Sequence, residues 1–268
     1  MQKRHQDRRQ YFIELANTAK AYYIDYIGRQ KQLTGRERIL EIGCGEGGNL
    51  LPFSEIGCYV YGLDIDTSKI ENAKKFYAEF NTKGSPAKFE CLNFIEAEKP
   101  TTEEERYDIV LIHDVIEHIE QPYKKEFFEN AKSYLKKDGL MFFAFPVWQM
   151  PYGGHQQICS AKVSQLPFLH LLPTSLYKWL LLKNGEPQDR VNELLSIVRS
   201  QMTPERFNRL ARETGLVNIE ELYWFINPHY KQKFGLKPRK MWKFFSRIPF
   251  LRNFATTSYW ALLKTKQE

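Results

Sequence analysis

A chain of 268 residues with 43% hydrophobic content can bury a substantial core and has the composition of an ordinary globular protein, so one principal domain with additions is the simplest count. Its formal charge is +7, and its four cysteines (Cys44, Cys58, Cys91, Cys159) form no CxxC pair, which points to reduced thiols and a cytoplasmic location. The most apolar run, Leu166 to Leu182, is broken by Pro167, His170, Pro173 and Lys178, and the basic N-terminus leads into an amphipathic pattern; neither a membrane span nor a targeting peptide is expected.

Tyr11, Phe12, Leu15, Ala19, Tyr22, Tyr23 and Tyr26 fall at helical spacing, which predicts one amphipathic helix over 3–28. Residues 1–35 are read as an N-terminal helical lid whose tyrosines form its packing face, none with a chemical role. Next comes Ile39-Leu-Glu-Ile-Gly43-Cys-Gly45-Glu-Gly47-Gly48, an apolar strand ending in a carboxylate and a glycine-dense turn. Such a turn lets a ligand lie directly against the backbone. A second strand, Tyr59-Val-Tyr-Gly-Leu-Asp64, ends in an acid placed to accept hydrogen bonds from both hydroxyls of a ribose. Gly43, Gly45 and Gly48 also fit the G-x-G-x-x-G spacing that seats a dinucleotide pyrophosphate. Glu41 separates the two readings, because a carboxylate there repels a pyrophosphate and suits a cofactor carrying an ammonium and a sulfonium. S-adenosylmethionine is therefore favoured over NAD.

With these residues the chain resembles the class I S-adenosylmethionine-dependent methyltransferases, from about Arg36 to Pro146 and again through the C-terminal elements. The resemblance implies that the turn contributed by Glu41, Gly43, Cys44, Gly45 and Gly47 holds the methionine part, that Asp64 holds the ribose and that Ile65 flanks the adenine. After the third strand the family often has an acid facing the adenine amine; this chain offers Asn93, followed by Phe94. The fourth strand, Tyr107 to Asp114, implies a pocket floor made by His113 and Asp114. The implied fold is α/β, Rossmann-like: a seven-stranded, mostly parallel sheet with an antiparallel last strand, helices on both faces and helical insertions after strands five and six.

The remaining chain follows that alternation, with helices at Thr67–Phe80 and Pro122–Leu135 and a fifth strand at Gly139–Pro146. Residues 148–202 read as a substrate-cap insertion with helical segments around Leu166–Lys183 and Gln188–Ser200. Thr203-Pro-Glu-Arg-Phe then opens a helix with Thr at N-cap and Pro at N1. Strands six and seven are expected at Val217–Ile226 and Thr257–Leu263, with a basic and aromatic insertion, 227–256, between them. The core is thus 36–147 plus 203–226 and 257–268.

Both insertions would hang beyond the carboxyl ends of the strands, over the reacting methyl group. The first contains Pro151-Tyr-Gly-Gly-His155, and His155 is the leading candidate for a general base. Asp114, Glu117 and His118 would share one face of a helix starting at Asp114. A similar acid-x-x-Glu-His arrangement occurs in the O-methyltransferases of ubiquinone biosynthesis, where a divalent metal can assist phenol deprotonation. His118 acting as acid or base without a metal, and simple packing under the cofactor, are the competing readings; no residue is assigned as a metal ligand.

Residues 227–268 hold ten Lys or Arg and one acid, Glu268, and aromatic and basic residues interleave from Lys240 to Arg252. That pattern fits a solvated cover first, an anionic membrane surface second and nucleic acid last, since no RNA-binding module accompanies it. The expected function is methyl transfer from S-adenosylmethionine to a small-molecule acceptor, at oxygen on a hydrophobic or lipid-linked substrate, with S-adenosylhomocysteine as product. A cofactor-binding scaffold recruited to membranes without turnover, and an NAD-dependent oxidoreductase, are the alternatives.

Overall fold

Asp7 opens the first helix by accepting the Gln10 amide at 2.9 Å. The computed structural model describes residues 7–266, so positions 3–6 of the predicted helix lie outside the described residues. Helix α1 (Arg8–Thr18) runs through a π-helical turn, Ala19–Tyr23, into α2 (Ile24–Gly28). The wider turn follows Thr18, whose hydroxyl bonds back to the Glu14 carbonyl at 2.8 Å. Beyond it Tyr23 packs on Phe142 with ring centroids 5.0 Å apart and Tyr26 on Trp260 at 5.5 Å. The helix is therefore clamped to the sheet by aromatic faces.

The chain then alternates as its pattern predicts: β1 (Arg38–Ile42), α3 (Leu51–Ile56), β2 (Tyr59–Asp64), α4 (Thr67–Phe80), β3 (Ala87–Cys91), β4 (Tyr107–His113), α5 (Lys124–Ser133) and β5 (Leu135–Phe145). After β5 come α6 (Thr174–Lys183), α7 (Gln188–Ser200) and α8 (Pro204–Glu213), the last capped by the Thr203 hydroxyl, which accepts the Arg206 amide. The chain closes with β6 (Leu216–Ile226), α9 (His229–Phe234), β7 (Arg239–Lys240), α10 (Lys243–Ser246) and β8 (Ser258–Thr265).

These strands form one sheet in the order β3-β2-β1-β4-β5-β8-β6-β7. The first five are parallel, and β8 inserts antiparallel between β5 and β6. The expected last strand is therefore present as β8, but the sheet has eight strands where seven were expected. The extra one is two residues long, pairing Arg239 and Lys240 with Ile226 and Trp224 at the edge. Two exposed basic residues carry no alternation, so nothing in the sequence marked them as strand.

Layers on both faces keep the central strands apolar throughout. One core gathers Leu40, Ile112, Phe128, Phe143, Phe207 and Tyr259; the opposite one gathers Phe12, Tyr26, Ile39, Phe53, Phe142 and Trp260. Residues 148–202 build a separate cluster around Trp148, Tyr177, Leu181 and Leu194, its two ends tied together by the Trp148 amide on the Met202 carbonyl at 2.9 Å and its α7 held to the loop after β4 by an ion pair of Arg199 with Glu120.

Candidate functional site

Strand order reverses between β1 and β4, and the crevice at the carboxyl ends of those strands is where such sheets bind ligands. The turn after β1 is fixed from β2: the Leu63 carbonyl accepts the amides of Gly43 and Cys44 at 2.7 and 2.9 Å. Asp64 accepts the Gly45 amide at 2.8 Å through one oxygen and the Asp66 amide at 2.9 Å through the other. Gly45 has φ +54° and nothing within 4 Å of where a Cβ would stand, so this backbone is open to a ligand. Gly43, by contrast, is glycine because the next loop presses on it: a Cβ would lie 2.4 Å from the Val115 side chain. The Cys44 thiol points into the core against Gly62, leaving only its backbone to border the site.

Glu41 lies beneath this turn, 1% exposed. One carboxylate oxygen accepts the Asn49 side-chain amide at 2.8 Å, while the other is buried with no hydrogen-bond partner. Burial, with the charge of Asp64 adding to it against the Asn49 bond, lifts this carboxyl to about 8. An acid in that condition gains most from a cation placed beside it.

A cavity of about 430 Å³ opens past the strand ends, lined among others by Gly43, Asp64, Ile65, Asn93, Asp114 and His118. Ile65 is 73% exposed there, an apolar flank with nothing yet against it. Phe94 lines the cavity from the core side, and the Asn93 side-chain oxygen already accepts the Ile95 amide at 3.2 Å. His113 does not line this cavity: its ring packs on Tyr23 at 5.7 Å, and it borders the site only through its Nε2, 3.6 Å from the Asp114 carboxylate. A larger cleft, about 780 Å³ between Tyr61, Tyr107, Lys74 and Glu105, runs from Arg38 at the start of β1 to Cys91 and Leu92 at the end of β3, where it adjoins this cavity.

The helix expected to start at Asp114 does not form. Asp114 has φ +52°, residues 114–120 are turns, and α5 begins only at Lys124. The Lys124 ammonium, fully buried, holds this segment by donating to the Ile116 carbonyl at 2.6 Å and to the Ser200 hydroxyl of α7 at 2.8 Å. Burial pulls Lys124 down to about 7, and burial with the Asp114 charge pushes the Glu117 carboxyl well up. Asp114, Glu117 and His118 therefore do not share a helical face. The group that does converge is Glu117, His118 and His155, whose ligand atoms lie within 4.8 Å of one another.

His155, from the loop after β5, sits edge-on to His118 with ring centroids 5.0 Å apart. Its position owes much to the glycine pair before it: a Cβ on Gly154 would stand 2.2 Å from the Cβ of His170. Burial first, then the His118 ring, depresses His155 to about 3, whereas His118 is lowered by burial but held up by Asp114. His118 is exposed and His155 half-buried, so His118 is the more accessible of the two. Two tyrosines also feel the Asp114 charge, Tyr11 of α1, expected only to pack, and Tyr230 of α9, which the sequence did not single out: burial and then Asp114 raise the Tyr11 phenol and lift that of Tyr230 to about 12. A groove of about 450 Å³ between the two insertions, with Tyr152, Gln157, Tyr230, Phe234 and Leu236 in its walls, lies on the His155 side. Tyr11, Tyr230 and Lys124 carried no signal in one sequence, since each belongs to a helix face that reads as ordinary packing or solvation.

The family profile described as a methyltransferase domain matches residues 5–221. Among curated proteins, a ubiquinone biosynthesis O-methyltransferase of Actinobacillus pleuropneumoniae is 26% identical over 121 residues, 45% of this chain and 50% of that protein. The match thus spans half the length of that relative. A protein of the same name from Nitrosospira multiformis is 24% identical over 205 residues, 76% of this chain and 72% of its own. Among solved structures, magnesium protoporphyrin IX methyltransferase from Synechocystis PCC 6803 with bound SAH superposes with a TM-score of 0.57 at 13% identity, covering 95% of this chain and 84% of that one, a likeness of fold.

Proposed function

The chain belongs to the methyltransferase-domain family, and from that premise we propose that it transfers a methyl group from S-adenosylmethionine to an oxygen of a hydrophobic small molecule. The observation that carries this reading is the unpartnered, buried oxygen of Glu41 beneath a glycine turn whose backbone is open. Glu41 would meet the cationic amino-acid part of the cofactor, Asp64 the ribose hydroxyls, and Ile65 with Phe94 the adenine. Gly43, Gly45 and Gly47 contribute backbone to the same seat. Asn93 stands where its amide can meet the adenine edge, although its oxygen is already engaged by Ile95. The cofactor supplies an electrophilic methyl group and leaves as S-adenosylhomocysteine.

On the acceptor side, His118 takes the hydroxyl proton as the oxygen attacks. Its lowered pKa keeps the imidazole neutral and available at pH 7, and Asp114 favours the imidazolium that forms. His155, kept neutral, orients His118 by packing edge-on against its ring at 5.0 Å. Asp114, Tyr11 and Tyr230 surround the acceptor, and the groove between residues 148–202 and 227–256 admits it. Tyr152, Tyr230, Phe234 and Leu236 in the walls of that groove support a hydrophobic or lipid-linked acceptor, and the relatives' O-methyltransferase names are consistent with oxygen as the atom modified.

Calorimetry with S-adenosylhomocysteine and with NAD, followed by transfer of a labelled methyl group to phenols and catechols bearing alkyl chains, tests the proposal. Binding of the homocysteine compound and labelling of a phenolic oxygen are expected. Binding with no transfer to any acceptor, together with vesicle binding, would favour the scaffold reading, and tight NAD binding would overturn both.

A further inference from the structure

The segment 227–266 holds no carboxylate, and its middle part projects apolar side chains into solvent. Trp242 is 82% exposed, Phe244 80% and Phe250 65%, with Leu251 and Phe254 also exposed. Between and beside them stand the exposed cations Lys237, Arg239, Lys240, Lys243 and Arg247. Packing does not require this arrangement. The segment's own anchors are elsewhere: Met241 is buried, its amide on the Tyr223 carbonyl at 2.8 Å, and Arg252 and Asn253 bond Glu205 of α8. Those ties hold the backbone in place while leaving the aromatic tips outward. Phe254 meets Phe168 of the first insertion at 6.4 Å, so the apolar surface continues across both insertions. Exposed Phe234 and Leu236, from the same second insertion, form part of the wall of the groove between the two insertions.

We infer that this face is a docking surface for an anionic lipid bilayer: Trp242, Phe244, Phe250 and Leu251 enter the headgroup boundary while Arg239, Lys240, Lys243 and Arg247 meet the lipid phosphates. Aromatic tips with basic neighbours are the composition that an interface with an apolar interior and a negative surface selects. No helix among the described residues is long and apolar enough to cross a membrane, so the contact is peripheral. A second copy of the chain is the weaker occupant, because two such faces would bring like charges together with no carboxylate from 227–266 to offset them. Docking would set the mouth of the groove against the bilayer, where a hydrophobic acceptor resides. That consequence rests on the acceptor class proposed above, whereas the docking itself does not.

The test is co-sedimentation of the full chain with phosphatidylcholine vesicles, with and without phosphatidylglycerol, at low and high salt. The wild-type protein is expected to sediment with the anionic vesicles only and to be released by salt. Trp242→Ser/Phe244→Ser and, separately, Lys240→Glu/Lys243→Glu should each lose about tenfold or more of that binding. Calorimetric binding of S-adenosylhomocysteine should stay at the wild-type value in both, which shows the fold intact and separates this result from failure of the cofactor assignment. Wild-type protein left in the supernatant with anionic vesicles overturns the inference, as does equal binding by the variants. Concentration-dependent dimerisation abolished by Trp242→Ser/Phe244→Ser, with no vesicle binding, overturns it in favour of a second copy.

Discussion

Asp64 and Gly45 are joined by a hydrogen bond of 2.8 Å that ties the end of β2 to the glycine turn after β1. One carboxylate thus shapes the cradle and, with its remaining lone pairs, faces the cavity. Asp64→Ala should weaken binding of S-adenosylhomocysteine by about 1–3 kcal/mol, through lost charge-assisted bonds and a loosened turn. Asp64→Asn, which can still accept the Gly45 amide, should fall between wild type and Ala. Calorimetric dissociation constants check the order; equal values for all three would remove Asp64 from the site.

Glu41 gives a prediction whose sign follows from its pKa of about 8. Folding raises this carboxyl above its ordinary 4.5, so the protein alone gives up stability as pH rises from that value toward 8, where the buried group must ionise. A cationic ligand prefers the ionised form. Affinity for S-adenosylmethionine should therefore rise with pH up to about 8, with release of a proton on binding near neutrality. Glu41→Gln should bind more weakly and lose this dependence. Titrations in buffers of different ionisation enthalpy measure the proton directly, and none released at pH 7 would contradict the assignment.

How legible the site was in the sequence depends on how local each part is. Glu41, the glycine turn and Asp64 are strand-end features with short-range signals, and the structure brings them together. Asp114 misled because its spacing to Glu117 and His118 suits a helix. The segment stays a turn since Gly43 lies directly under Val115 and Lys124 bonds the Ile116 carbonyl from eight residues away. The pairing of His118 with His155 joins loops after different strands, which no periodicity can report. Likewise β7 is a strand only because β6 offers a free edge to an arginine and a lysine.

The two histidines are separable by kinetics. His118→Ala should lower kcat by about 10²–10⁴-fold with cofactor affinity retained, the usual span for loss of a general base. His155→Ala should cost less. The wild-type kcat profile should fall on the acid side with an apparent pKa below 6.5, because burial lowers that of His118. Chelation should leave turnover unchanged, since a positioned imidazole takes the hydroxyl proton without a metal. A chelator-sensitive activity restored by one divalent ion would instead make Glu117, His118 and His155 its ligands.

His170 predicts how the segment 148–202 responds to acid. It is 1% exposed, with one ring nitrogen 2.7 Å from the Trp148 carbonyl and the other 3.2 Å from the Gln156 side-chain amide. A neutral ring donating to the first and accepting from the second satisfies both contacts, whereas a protonated ring would turn a donor toward the Gln156 amide nitrogen. Burial accordingly lowers His170 from 6.5 to about 4. Between those values the unfolded chain binds the extra proton and the folded one does not, so stability is lost as pH falls through that window. At about 1.4 kcal/mol per unit, the loss attributable to this residue approaches about 3 kcal/mol by pH 4. Denaturation followed by tryptophan fluorescence, which samples Trp148 against the His170 ring at 4.6 Å, should show this slope already between pH 6.5 and 5, above the range where most carboxylates titrate. His170→Gln should start less stable at pH 7 and lose less on acidification. Parallel pH dependence in the two proteins would show that the acid sensitivity arises from other groups.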